Sequence, residues 1–171
     1  ADYISLIENK IKKPITLVPT KSWTESLAFA KARKCDVLSS TMWTKEREND
    51  FNFTKSYIDI PFVLLTKSGT SFINNLSSIK NKKVSIVEDY AMMDILKNKY
   101  KNLEFVTVKN IDEGLEKVLS GETFGHIDAI STAWYKLQTK YLTQLSVSAK
   151  LDEVSKVSIA VRNDDNVLFE I

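Results

Sequence analysis

Arg47 stands three residues after Thr44, whose hydroxyl can cap a single turn that holds the arginine beside the end of a preceding apolar run. A guanidinium held there offers a planar fork that binds a carboxylate through two charge-assisted hydrogen bonds. Spacing alone favours a plainer arrangement, a surface arginine paired with Glu46, Glu48 or Asp50. The other reactive side chains form no catalytic pattern. His126 is the only histidine, and its place between Gly125 and Ile127 reads as a turn residue before a strand. Glu46 with Glu48, and Asp164 with Asp165, lie in charged exposed runs that would not raise a carboxylate pKa for acid–base work. Gly69, Gly114, Gly121 and Gly125 match neither GxGxxG nor GxxxxGK[ST], so no phosphate loop is expected. With Cys35 as the single cysteine, an internal disulfide and a metal site of paired cysteines are excluded. No metal and no cofactor is expected.

The 171 residues allow one substantial core, or two lobes of roughly 80 to 90 residues sharing a hinge. The composition, 43% hydrophobic and 27% charged, is that of an ordinary globular protein. A net charge of +2, with both signs interspersed, gives no field for nucleic acid or an anionic membrane. The basic runs Lys10 to Lys13 and Lys80 to Lys83 carry no interleaved aromatics for stacking on bases, so no nucleic-acid partner is expected. No signal peptide opens the chain and no apolar run approaches the roughly 20 residues of a membrane span. Work outside the cytoplasm would require a targeting segment already removed, and any membrane attachment would lie outside these residues.

The elements that must position Arg47 follow from periodicity. Ile4, Ile7 and Ile11 predict a helix over Tyr3 to Ile11, and Pro14 to Val18 reads as a strand. Ser22 to Glu25 has capping-box spacing ahead of a helix with Trp23, Leu27 and Ala30 on one face. Asp36 to Ser39 is a short buried strand, and Tyr57 to Thr66 a longer one with an edge or bulge at Pro61. Strands at Lys83 to Val87, Glu104 to Val108 and Ile127 to Ile130 then alternate with helices at Asp89 to Tyr100, Ile111 to Leu119 and Thr132 to Tyr141. Lys156 to Val161 is a last strand, and Arg162 to Asp165 a turn into a helix cut short at Ile171. Such alternation predicts an α/β fold of mixed, mostly parallel sheets flanked by helices, with ligand beyond the carboxyl ends of strands.

Over nearly its whole length the chain resembles the type 2 periplasmic solute-binding proteins. The resemblance is to extracellular solute-binding family 3, and especially to the sensor domains of membrane-bound histidine kinases and diguanylate cyclases. It rests on the order of Val18-Pro19-Thr20, Ser22-Trp23, Cys35 to Ser39, Thr44 to Arg47 and Phe53 to Tyr57. It continues through Ile79 to Val84, Gly114-Leu115, Gly121 to Asp128 and Ser158 to Asp164, with Lys150 to Glu153 closest in wording to the sensor branch.

The resemblance implies a two-lobed Venus-flytrap fold, with 1–67 and 157–171 in the first lobe and 68–156 in the second. It also implies a strand before residue 1 and a helix completed after Ile171, so the chain reads as truncated at both ends, with strand exchange or a homodimer as a consequence to test. It implies a periplasmic location, or the outer face of the bacterial inner membrane, and closure on a small solute that signals to an attached kinase or cyclase. An ABC importer receptor and a dehydratase-like enzyme of the same fold are the alternatives.

The same resemblance makes Arg47 the ligand-carboxylate anchor and Ser39, Ser40, Thr41 and Met42 the loop that touches ligand. Met42 stands where a hydroxylated residue is common. Trp23 corresponds to an aromatic that packs on ligand, although such a residue also suits plain core. Tyr90 and Ala91 begin the helix whose N-terminus would face the cleft, where a glycine followed by hydroxyls is usual; Asp89 reads as its cap. Ala133 occupies the position at which amino-acid receptors carry an acid for the ligand ammonium. A small carboxylate is therefore expected in preference to a standard α-amino acid.

Overall fold

The computed structural model describes residues 2–170. Ala1 and Ile171, the outer ends of the expected first-lobe segments, lie outside the described residues, as does the cut end of the last helix. Strands β1 (Val37–Met42), β2 (Phe51–Phe53), β3 (Ile58–Lys67), β4 (Lys82–Val87), β5 (Leu103–Val108), β6 (Gly125–Ala129) and β7 (Leu145–Arg162) form one seven-stranded sheet. Its order is β1-β7-β3-β6-β4-β5, with β2 also paired to β7. Helices α1 (Asp2–Ile11), α2 (Trp23–Lys31), α3 (Met92–Lys99), α4 (Ile111–Ser120), α5 (Ile130–Lys136) and α6 (Asn166–Glu170) flank it.

Local signals place most of these elements. Ser22 Oγ accepts from Glu25 N at 3.1 Å at the start of α2, and Asn110 Oδ1 accepts from Glu113 N at 3.0 Å at the start of α4. Gly121, with φ of +84°, ends α4 in the left-handed conformation that glycine adopts without strain. The bulge expected at Pro61 is present as a register shift between Pro61 and Val63 on β3.

Six expectations need correction. Ser39 to Met42, expected as a loop after a strand ending at Ser39, lie within β1, and β7 begins at Leu145, eleven residues before the predicted Lys156. Pro14 to Val18 is no strand, because no partner reaches it among the described residues; Leu17 is 88% exposed. Only the β4–β5 and β4–β6 pairings are parallel, whereas all the pairings of β3 and β7 are antiparallel. The sheet is mixed as expected, but two long strands that span it reverse the balance expected from βαβ alternation. Helix α3 begins at Met92, three residues after the predicted start, and Asp89 does not cap it. His126 is no turn residue: it lies within β6 and is wholly buried.

Apolar side chains gather in three clusters. Phe62, Leu64, Val84, Ile86, Met92, Leu96 and Ile127 pack on one side of the β6–β4–β5 part of the sheet, with α3. Val63, Leu65, Leu115, Val118, Leu137 and Tyr141 pack on the other, with α4 and α5. A smaller cluster of Ala30, Leu38, Phe51 and Ala160 joins α2 to β1, β2 and the end of β7. The molecule thus has two halves, linked by the long β3 and β7, and the space between them is where the carboxyl end of β1 meets the carboxyl ends of β4 and β6.

Candidate functional site

Between the halves lies a cavity of about 150 Å³, into which both contribute side chains. One wall holds Trp23, Ser40, Thr41, Met42 and Arg47, and the opposite wall holds Tyr90, Ala91, Met92, Ala129, Ser131 and Thr132. Ile60, Phe62, Ser155 and Val157, from β3 and β7, complete the lining where the strands pass between the halves.

Arg47 reaches this cavity because the sequence builds its turn locally. Its backbone N–H donates to Thr44 Oγ1 at 3.2 Å, the cap that the spacing predicts, and one 3-10 turn, Arg47–Asn49, follows. The guanidinium then folds back on β1: Nη1 donates to the Met42 carbonyl at 2.7 Å and lies 3.4 Å from Thr41 Oγ1. The guanidinium carbon lies 5.4 Å from the centre of the Trp23 ring, within cation–π range. Nη2 donates to the backbone carbonyl of Asp89, across the cavity, at 2.5 Å. Among the described residues no carboxylate forms a salt bridge with Arg47. Burial lowers its pKa, against the opposing pull of Asp89 and Glu46, and the group remains a cation at physiological pH.

Arg47 is the one charged side chain among the lining residues; five others carry hydroxyls from serine or threonine, Tyr90 adds a phenol, and the remainder are apolar. Burial, and then the charge of Asp128, push the Tyr90 phenol upward, so it stays protonated as a neutral hydrogen-bonding group. The start of α3 faces the cavity through Tyr90, Ala91 and Met92, and the hydroxyls of Ser131 and Thr132 come from the first turn of α5, just after β6.

Seven of the nine residues singled out in the sequence, Arg47, Ser40, Thr41, Met42, Trp23, Tyr90 and Ala91, line this cavity. Ser39 and Ala133 do not. Ser39 lies outside, with its carbonyl accepting from the Tyr57 hydroxyl at 2.8 Å, and Ala133 is fully buried in the cluster beneath α5. The positions after β6 that do face the cavity, Ser131 and Thr132, went unrecognised, although hydroxyls directly after a strand end are the available signal. Ile60, Phe62, Ser155 and Val157 carried no local signal.

Ser85, His126 and Asp128 bring together the side-chain types of an acyl-transfer triad. Ser85 Oγ lies 2.9 Å from His126 Nδ1, and His126 Nε2 lies 3.4 Å from Asp128 Oδ2. All three are wholly buried, however, and Asp128 also accepts from the Ala129 N–H at 2.6 Å, so the group braces β4 against β6. A wider groove of about 670 Å³, edged by Trp43, Glu48, Phe53, Lys156 and Phe169, belongs to the β2 side alone and receives no residue from the α3–α5 half.

The fold and this two-walled cavity are those of a solute-binding domain. The model of the bacterial extracellular solute-binding proteins, family 3, matches residues 1–168, and the chain belongs to that family. Sensor protein EvgS of Escherichia coli O157:H7 is 27% identical over 107 residues, covering 63% of this chain. The chain's match spans only 8% of that relative's length. The periplasmic VFT2 domain of Bordetella pertussis BvgS superposes with a TM-score of 0.87 at 17% identity, over 98% of this chain and 72% of that one. Holo ArgBP from T. maritima superposes with a TM-score of 0.83 at 20% identity, over 99% of this chain and 74% of that one.

Proposed function

We propose that this chain is a periplasmic sensing domain that binds a small carboxylate at Arg47 without catalysing a reaction. The observation that carries the reading is the charge of the lining: one cation, no acid, hydroxyls and apolar walls. A ligand carboxylate finds its partner in the N–H groups that Arg47 keeps free, while an ammonium would find no carboxylate in the lining. The volume of about 150 Å³ equals the space of roughly five waters and suits a solute of few heavy atoms. In this reading the expected segments 1–67 with 157–171 form one lobe and 68–156 the other, except that β3 from Phe62 onward packs with the second lobe. EvgS carries the name of a sensor protein, which favours passing lobe motion to an attached signalling region over delivery to an importer. The burial of Ser85, His126 and Asp128 supports binding over hydrolysis, because no substrate reaches the serine.

Titration calorimetry tests the proposal with acetate, propionate, lactate, succinate, glutamate and arginine, against the wild-type chain and Arg47→Met. Small monocarboxylates are expected to bind, and Arg47→Met to weaken them at least about tenfold, the effect of losing one charge-assisted pair. An amino acid bound more tightly than the simple carboxylates, or affinity that survives Arg47→Met, overturns it.

A further inference from the structure

We propose that Asp89 is a built-in latch that holds the two halves closed over the cavity when no solute is present. Three hydrogen bonds converge on this residue from the far side of the cleft. Its carbonyl accepts from Arg47 Nη2 at 2.5 Å and from Trp23 Nε1 at 3.2 Å, and its carboxylate accepts from Thr24 Oγ1 at 2.5 Å. Among the described residues these are the only side-chain hydrogen bonds that join α2 and the Arg47 turn to the opposite half. Closure therefore depends on one position instead of being spread over the interface.

The backbone of Asp89 makes this convergence available. Its φ is +58°, a left-handed conformation that few residues other than glycine, asparagine and aspartate adopt. It stands between the end of β4 and the start of α3, where that turn aims the carbonyl outward at Arg47 and Trp23. Glycine would adopt the same turn more easily but would lack the carboxylate that engages Thr24. Aspartate thus combines a glycine-like turn with a second point of attachment. The stacking of Arg47 on Trp23 sets both donors beside one oxygen, whose two lone pairs they fill.

The carbonyl occupies one arm of the cation to which a solute carboxylate would be drawn. Nη2 carries a second N–H and Nε its own, so the latch leaves the other side of the guanidinium fork for that carboxylate. Closure without solute does not depend on which solute binds, so it can be tested without one.

Spin labels at Lys45→Cys and Lys109→Cys, both exposed positions and one on each side of the cleft mouth, report the separation of the halves in a Cys35→Ser background. Double electron–electron resonance on the solute-free chain is expected to give one short, narrow distance. Trp23→Phe with Thr24→Val, which removes two of the three donors, is expected to shift the closed-to-open ratio roughly tenfold and add a longer distance. Asp89→Gly, which keeps the turn and the carbonyl and loses only the Thr24 bond, gives a smaller shift and serves if the double variant fails to fold. A broad or long distance in the solute-free wild type overturns the latch. So does a double variant, or Asp89→Gly, with native circular dichroism and an unchanged distance distribution.

Discussion

Gly114→Ala sets two physical effects of opposite sign against each other. In the middle of α4, alanine should stabilise by about 1 kcal/mol through helix propensity. A methyl group built at Gly114 would instead lie 2.3 Å from His126 Nδ1, 2.5 Å from Cε1 and 2.9 Å from Cγ, inside van der Waals contact with all three. The ring cannot swing aside cheaply, because it is wholly buried and tied to Ser85 and Asp128 at its two nitrogens. Overpacking costs about 1–3 kcal/mol, and pulling the ring from its partners leaves buried polar groups unpaired at about 1–3 kcal/mol. After subtracting the propensity gain, the net expected loss is about 1–5 kcal/mol, or about 2–20 °C in Tm for a chain of this size. Guanidinium denaturation followed by circular dichroism measures it. In a His126→Ala background the clash disappears, so Gly114→Ala should become neutral or mildly stabilising, with a coupling energy of at least about 2 kcal/mol. A single Gly114→Ala variant as stable as wild type, or the same loss in both backgrounds, would refute the packing argument.

Two further variants test buried polar groups by the same denaturation assay. Thr66 and Ser148, each 1% exposed, share a hydrogen bond between their hydroxyls on β3 and β7. Thr66→Val should cost about 1–2 kcal/mol by stranding Ser148, and adding Ser148→Ala should recover most of it; a double variant as unstable as the sum of its singles argues against the pairing. Arg162, 7% exposed at the end of β7, donates to the Cys35 carbonyl at 2.9 Å and to Asp164 at 3.3 Å. Arg162→Met leaves the Cys35 carbonyl without its donor, while Asp164 keeps its pair with Arg33, and should destabilise by about 1–3 kcal/mol, with Arg162→Lys intermediate. A loss below about 0.5 kcal/mol would show that the arginine does not clamp β7 to the turn after α2.

The signals that read correctly from the sequence are those whose cause lies within a few residues. Ser22 caps α2 through a donor three residues on, and Thr44 holds the Arg47 turn in the same way. The seven cavity residues were named by the family resemblance; spacing alone made Arg47 a surface arginine and left Trp23 equally suited to plain core.

What failed depends on partners far away in the chain. Pro14 to Val18 has the residue types of a strand, but a strand exists only against another, and none reaches it among the described residues. His126, expected as a turn residue after Gly125, became core because Ser85 and Asp128 meet both its nitrogens and Gly114 clears room for its ring. The role of Asp89 turned most completely: local pattern made it a helix cap, whereas its carbonyl and carboxylate are taken by residues 42 to 66 positions away. The sequence by itself determined the capped start of α2 and the Thr44-held turn that carries Arg47. Only the tertiary structure decided what meets that arginine, because hydrogen bonds and close packing act over a few ångströms of space, however long the intervening chain.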